Sequence, residues 1–298
     1  MTYSTDMEIP KIIVIVGETA SGKSALALDL AERFNGELIC ADSWTVRREV
    51  NIGTAKPSAE ERARVPHHLL DVVGPDEDYT AAVFKRLALR AIDDIAGRGK
   101  LPIMVGGTGL YTDGVLFDYG FLAEGDRTER ERYNVLSIDE LLAEIAAEGI
   151  ELGDVDVRNK RRLIRLLETN GAQPTRGDMR ANTLVIGLQP ERAQLHERIE
   201  ARVDAMLEAG LEDEVRTLVE RYGWSAEALK GVGYAQWQGY FACSESLSET
   251  RARIIKATQD LAKRQRTWFR RNKSIHWFDT PVNDGKAVDL ITTFLSSQ

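Results

Sequence analysis

The 298-residue sequence predicts an α/β fold, a parallel sheet flanked by helices with an inserted helical subdomain. Three observations predict it. Short apolar runs alternate with segments of helical period through the first hundred or so residues, a glycine-rich turn joins the first run to the first helix, and the strand pattern lapses near residue 121 until "TLVIGLQP" restores it.

Taken in order, Lys11 to Val16 reads as a buried strand and Ser24 to Phe34 as the helix after it. "GELICAD" is a second strand, Thr80 to Arg98 a helix, and "LPIMVGG" a third strand. Between Phe121 and Thr169 the segments "SIDELLAEIAAE" and "RRLIRLLETN" are charged and helical, so the expected division is a core of residues 9–120 and 175–298 with a helical insertion at 121–174. After Pro190 the chain reads as helical almost to "SIHWFD", with Gly210 as a break, which places a basic helical segment at the end of the core.

Composition narrows the class. Apolar residues make up 43% and charged residues 29%, ordinary for a globular enzyme. No run approaches the roughly 18 apolar residues of a membrane span, and "MTYSTDMEIP" lacks a signal peptide's basic start and apolar stretch, so a cytoplasmic protein without a membrane partner is expected, as a monomer. Cys40 and Cys243 are too few and too far apart for a disulfide framework, and Cys40 is expected as a core thiol. The net charge is -8, yet Arg251 to Lys273 holds nine basic residues against one acid, and "RNKRRLIR" packs five into eight positions. Segregation of that kind on an acidic chain points to a polyanion, although either run by itself also suits a solvated helix face.

The chemistry-bearing motif is "GETASGKS". Its G-x-x-x-x-G-K-S spacing makes Gly17, Thr19, Ala20, Ser21, Gly22, Lys23 and Ser24 a phosphate cradle: backbone amides converge on an anion, the lysine adds charge, and the Ser24 hydroxyl suits Mg²⁺. The second strand ends in Asp42-Ser43, expected beside that cradle. A carboxylate there positions Mg²⁺ through water, accepts a proton from a nucleophile, or caps a helix. The third strand ends in Gly106, Gly107, Thr108 and Gly109, where a nucleotide-hydrolysing enzyme commonly puts an acid, and the neutral Thr108 suits a substrate that must be oriented. His67 and His68, with no ligand partner at metal spacing, read as loop-shaping hydrogen-bonders, and Trp237 and Trp268 as core.

Together "GETASGKS", "ADSWTVRREVNIGTAKP", "VPHHLLDVV", "VGGTGLY", "RRLIRLLE", "GVGYAQW" and "LAKRQRTWFRR…IHWFD" resemble, in order and near spacing, the tRNA dimethylallyltransferases, or tRNA isopentenyltransferases. The resemblance spans nearly the whole chain and implies a P-loop NTPase-like core. It implies transfer of a dimethylallyl group from dimethylallyl diphosphate to N6 of the adenosine 3′ to the tRNA anticodon, with Mg²⁺ on Ser24. Asp42 matches the family's base, Arg202 is the candidate for stabilising the leaving diphosphate with Arg198 as its rival, and Thr108 is expected to orient the adenine. Contacts to the tRNA anticodon stem-loop map onto Asp42, Ser43, Trp44, Thr45, Thr108, Arg130 and the segment Arg161, Arg162, Leu163, Ile164 and Arg165, to which charge adds Lys263, Arg264 and Arg270. The chain departs from the family at Glu18, where proline is usual, at Thr45 and Arg47 for glutamine and tyrosine, and at Gln259 for arginine. The alternatives are an adenylate isopentenyltransferase acting on free AMP, ADP or ATP, and a P-loop small-molecule kinase or other ATP-binding module. The basic insert and tail argue against the first of these, because a free nucleotide needs neither.

Overall fold

The computed structural model describes residues 9–123, 125–280 and 284–297. The chain forms two compact units, 1–116 with 180–298, and 117–179.

In the larger unit the order is β1 (Ile12–Gly17), α1 (Lys23–Arg33), β2 (Gly36–Cys40), α2 (Ala59–Arg64), β3 (His67–His68), α3 (Ala81–Gly97), β4 (Leu101–Gly106) and α4 (Gly109–Leu116). It resumes with β5 (Thr183–Gln189), α8 (Arg192–Glu208), α9 (Leu211–Tyr222), α10 (Gln238–Phe241), α11 (Leu247–Phe269), β6 (Ile275–Asp279) and α12 (Asp284–Ser296). The smaller unit holds α5 (Arg127–Val135), α6 (Ile138–Ala147) and α7 (Lys160–Glu168).

Among the described residues six strands form one sheet in the order β3-β2-β4-β1-β5-β6, with every pairing parallel. Ile12 to Val16 are at most 1% exposed, as a strand covered on both faces requires. Two of the buried clusters differ in make-up: one is built on strands of the sheet, and the other contains no strand residue. One gathers Ile13, Ile15, Leu30, Ile103 and Ile186 with Ile291 of α12, and the other packs α8, α9 and α11 around Trp237. Thr80 caps α3 with its side chain, capping boxes start α2 and α11, and Gly210 separates α8 from α9.

Two expectations change. His67 and His68 are not a loop; they pair with Leu38 and Ile39 as a two-residue edge strand too short to show a period. Their ring nitrogens bond the Val65 carbonyl and the Glu37 carboxylate, each at 2.7 Å. Secondly, β4 lies between β1 and β2, so the end of β2 is not the cradle's immediate neighbour. The two ends still converge because β4 finishes in glycine: a Cβ on Gly106 would stand 2.0 Å from the Ala41 carbonyl oxygen.

The smaller unit has its own core of Tyr133, Leu141, Ile145, Leu163, Ile164, Leu166 and Leu167. Asp126, Ser137 and Asn159 cap its three helices. Its entrance and exit adjoin, since the Arg180 N–H donates to the Leu116 carbonyl at 2.7 Å.

Candidate active site

The cradle follows β1 and ends on α1. Gly22 is the N-cap, no side chain caps this helix, and its first turn holds no acid, so its leading amides and positive dipole end are left for an anion. Thr19, Lys23 and Ser24 line a cavity of about 180 Å³ together with Asp42, Trp44 and Thr45 from the end of β2. Arg202 of α8, Gln265 of α11 and the loop residues Gly53, Thr54 and Ala55 complete much of the wall.

Asp42 is half-buried, and its Oδ1 accepts the N–H groups of Trp44 at 2.8 Å and Thr45 at 3.2 Å. That turn fixes the carboxyl plane without engaging Oδ2. Lys23 donates to the Glu18 carbonyl at 3.2 Å. Burial, reinforced by the Arg202 charge, pulls the Lys23 ammonium down to about 8 against the opposing pull of Asp42 and Glu18. Arg202 is also lowered by burial, is supported by Asp42, and donates to the Thr54 carbonyl at 3.4 Å. Two desolvated cations thus line the cavity with the Asp42 and Glu61 carboxylates, and their charge suits an incoming polyanion.

The structure separates the two arginine candidates. Arg202 lines the cavity, whereas Arg198 donates to Thr280 Oγ1 at 3.2 Å. Thr108 is not among the residues lining that cavity; its Oγ1 accepts the Ser43 N–H at 3.0 Å and so holds the loop that carries Asp42. Thr45 is buried with its hydroxyl unpartnered among the described residues. Arg47 turns away and donates to the carbonyls of Gly74 at 3.3 Å and Glu77 at 2.5 Å. Cys40 is a buried thiol at the cavity wall, and burial pushes it up to about 12.

Burial withdraws two side chains from the expected polyanion contacts, and carboxylates engage two more. Leu163 and Ile164 are 0% and 2% exposed in the core of the smaller unit, because α7 turns its apolar stripe inward. Arg165 is tied to Glu168 at 3.1 Å and to the carbonyls of Leu122 and Ala123, and Arg130 pairs with the same Glu168 at 2.9 Å. Arg161 and Arg162 remain exposed. On α11, Arg251 pairs with Asp204, Arg253 with Glu245, Lys256 with Asp260 and Arg266 with Glu18, while Lys263 and Arg264 are exposed, as is Arg270 just beyond the helix. Trp268 is only half-buried and donates through Nε1 to Asp113 at 2.9 Å, so it is not a plain core residue.

Sequence reasoning missed two clasps. The Glu214 carboxylate accepts the amides of Asn51, Ile52 and Gly53 and the Tyr234 hydroxyl, which shapes the loop beside Arg202. Gln265 bonds the cradle itself, accepting the Thr19 N–H at 2.7 Å. Its signal was a polar residue on the apolar stripe of Ile254, Ala262 and Phe269.

A family model described as IPP transferase matches residues 45–272. The chain belongs to the IPP transferase family. Members similar to it include the tRNA dimethylallyltransferase of Streptococcus equi subsp. equi, 45% identical over 90% of this chain and 91% of that protein. That of Bacillus cytotoxicus is 36% identical over 97% and 95%. Among solved structures, the full-length tRNA isopentenylpyrophosphate transferase of Bacillus halodurans superposes with a TM-score of 0.74 at 37% identity, covering 96% of this chain and 95% of that one. A eukaryotic dimethylallyltransferase acting on tRNA gives 0.78 at 27% identity, covering 97% and 80%. The parallel sheet with its cradle is therefore the family's P-loop NTPase-like fold.

Proposed function

We propose that this member of the family is a tRNA dimethylallyltransferase, moving the five-carbon allyl group of dimethylallyl diphosphate onto N6 of the adenosine 3′ to the anticodon. The observation that carries the reading is one cavity lined by a carboxylate, Asp42, and by the cations Lys23 and Arg202 at an uncapped helix start.

Bond making and breaking assign the roles. The adenine amino group is a weak nucleophile because its lone pair is delocalised, so it must lose a proton as N6 bonds to the allylic carbon. Asp42 Oδ2 accepts that proton while the two amides on Oδ1 hold the carboxyl group in place. The C–O bond breaks and its electron pair leaves with diphosphate, whose growing charge meets Lys23, Arg202 and the first amides of α1. Mg²⁺ suits the donors present. The Ser24 hydroxyl lines the cavity, and Mg²⁺ needs only one or two protein oxygens when phosphates and waters complete its shell. When bound, it would neutralise diphosphate charge.

An adenine stacked in a tRNA loop cannot reach Asp42, so the nucleotide must be extruded at a cost of a few kcal/mol, offset by phosphate contacts elsewhere. Arg161 and Arg162 of α7, with Lys263, Arg264 and Arg270, are among the exposed cations suited to those contacts. Incubation with Mg²⁺, labelled dimethylallyl diphosphate and either unmodified tRNA or AMP tests the reading. Label in tRNA alone is expected. Label in AMP would convert the assignment to an adenylate isopentenyltransferase, and phosphoryl transfer from ATP to a small molecule would make it a kinase.

A further inference from the structure

Glu18 is the cradle residue for which the proposed reaction has no use. It is 2% exposed, and an unpartnered carboxylate beside a diphosphate would oppose binding. Arg266 of α11 supplies the partner: its Nε and Nη2 donate to the two Glu18 carboxylate oxygens, the second at 2.8 Å. Such a fork fixes direction as well as charge. The preceding residue grips the same loop. Gln265 accepts the Thr19 N–H through Oε1 at 2.7 Å and donates through Nε2 to the Gly107 carbonyl at 3.0 Å, so one amide ties the cradle to the end of β4. A Cβ on Gly107 would stand 2.3 Å from that Nε2, and only glycine admits the contact without displacement.

Arg266 does not line the cavity that holds Lys23, Asp42 and Arg202. It lines a second cavity of about 190 Å³ with Glu18, Arg192, His196, Gln259 and Lys263. Its route to the anion site runs through Glu18, whose backbone carbonyl accepts the Lys23 ammonium at 3.2 Å and the Ser21 N–H at 3.2 Å. We propose that Gln265 and Arg266 form a clamp that positions the phosphate cradle, and that Arg266 sets the placement of Lys23 through Glu18 as a positioning residue without touching substrate. The inference rests on the cradle's assignment to diphosphate. It gives Glu18 a meaning: an acid is tolerated in the cradle because α11 carries a half-buried counter-charge for it.

The test compares wild type, Arg266→Ala, Glu18→Ala and the double variant, each checked by melting temperature. The readouts are inorganic diphosphate affinity, hydrogen exchange of the peptide spanning residues 17–24, and separate KM values for dimethylallyl diphosphate and tRNA. Arg266→Ala is expected to weaken diphosphate binding by about tenfold or more, because the buried Glu18 carboxylate is left bare. It should also speed exchange in the cradle and raise the donor KM without moving the tRNA KM. The double variant should recover most of the affinity, since neither charge is then uncompensated. If Arg266→Ala does not fold, Arg266→Lys, which keeps the charge but not the fork, takes its place, with the same directions of change at smaller size. Unchanged diphosphate affinity and cradle exchange in the variant would overturn the clamp, and so would a raised tRNA KM with an unchanged donor KM. Failure of the wild type to bind diphosphate would overturn the functional reading, and the exchange data would still decide the clamp by themselves.

Discussion

Asp42 shows how a single residue divides its work. One oxygen is held by the amides of Trp44 and Thr45 and the other is outside that turn. Asp42→Asn keeps an oxygen for those amides and removes the proton acceptor. Prenyl transfer is therefore expected to fall by roughly 10²–10⁴-fold with diphosphate affinity nearly unchanged, as single-turnover rates and a diphosphate titration would show. Lys23 yields a pH prediction. Its ammonium is lowered from 10.5 to about 8, and the anion prefers the protonated form. Diphosphate affinity should thus hold below pH 8 and decline as pH rises through it. In Lys23→Arg, whose charge does not titrate in that range, this inflection should vanish while any change from the ligand's own ionisation persists.

At the scale of the element, α11 is two helices in one. Its basic residues suggested a single polyanion face, yet Arg251, Arg253, Lys256 and Arg266 are paired with carboxylates and Gln265 grips the cradle. Composition counts charges and cannot see their partners. Replacing Lys263 and Arg264 together with alanine should reduce tRNA affinity and lower the slope of log affinity against log salt by about 1 to 2, whereas Arg251→Ala should leave the slope unchanged. An equal change in both variants would mean that pairing with Asp204 does not withdraw Arg251 from the polyanion. The helix α7 makes the same point: its apolar spacing was legible, and it is the reason Leu163 and Ile164 are unavailable to a ligand.

At the scale of the molecule, the insertion has a core of its own, and the chain leaves and re-enters the larger unit at residues hydrogen-bonded to each other, Leu116 and Arg180. Excising residues 117–179 and bridging the gap with a short glycine linker should leave a folded protein that binds diphosphate as before and binds tRNA more weakly. Circular dichroism melting and the two titrations would check it; loss of diphosphate binding in a folded product would show that the cradle depends on the insertion. The excised segment differs slightly from the residues 121–174 expected from sequence, because the turn from 117 to 120 and the stretch from 175 to 179 pair across Gly120 and Thr175. Such a bridge has no periodicity to announce it.

Sequence alone determined what short-range physics encodes: the strands with continuous apolar runs, the helices with a 3.6-residue period, and a phosphate cradle whose glycines, lysine and serine lie within eight residues. Tertiary structure decided which groups meet across the chain. It put Arg202 and not Arg198 on the cavity wall, interposed β4 between β1 and β2, and brought Arg266 to Glu18 across 248 positions. The physical reason is that burial and charge pairing depend on the order of strands and the packing of helices, which no local pattern records.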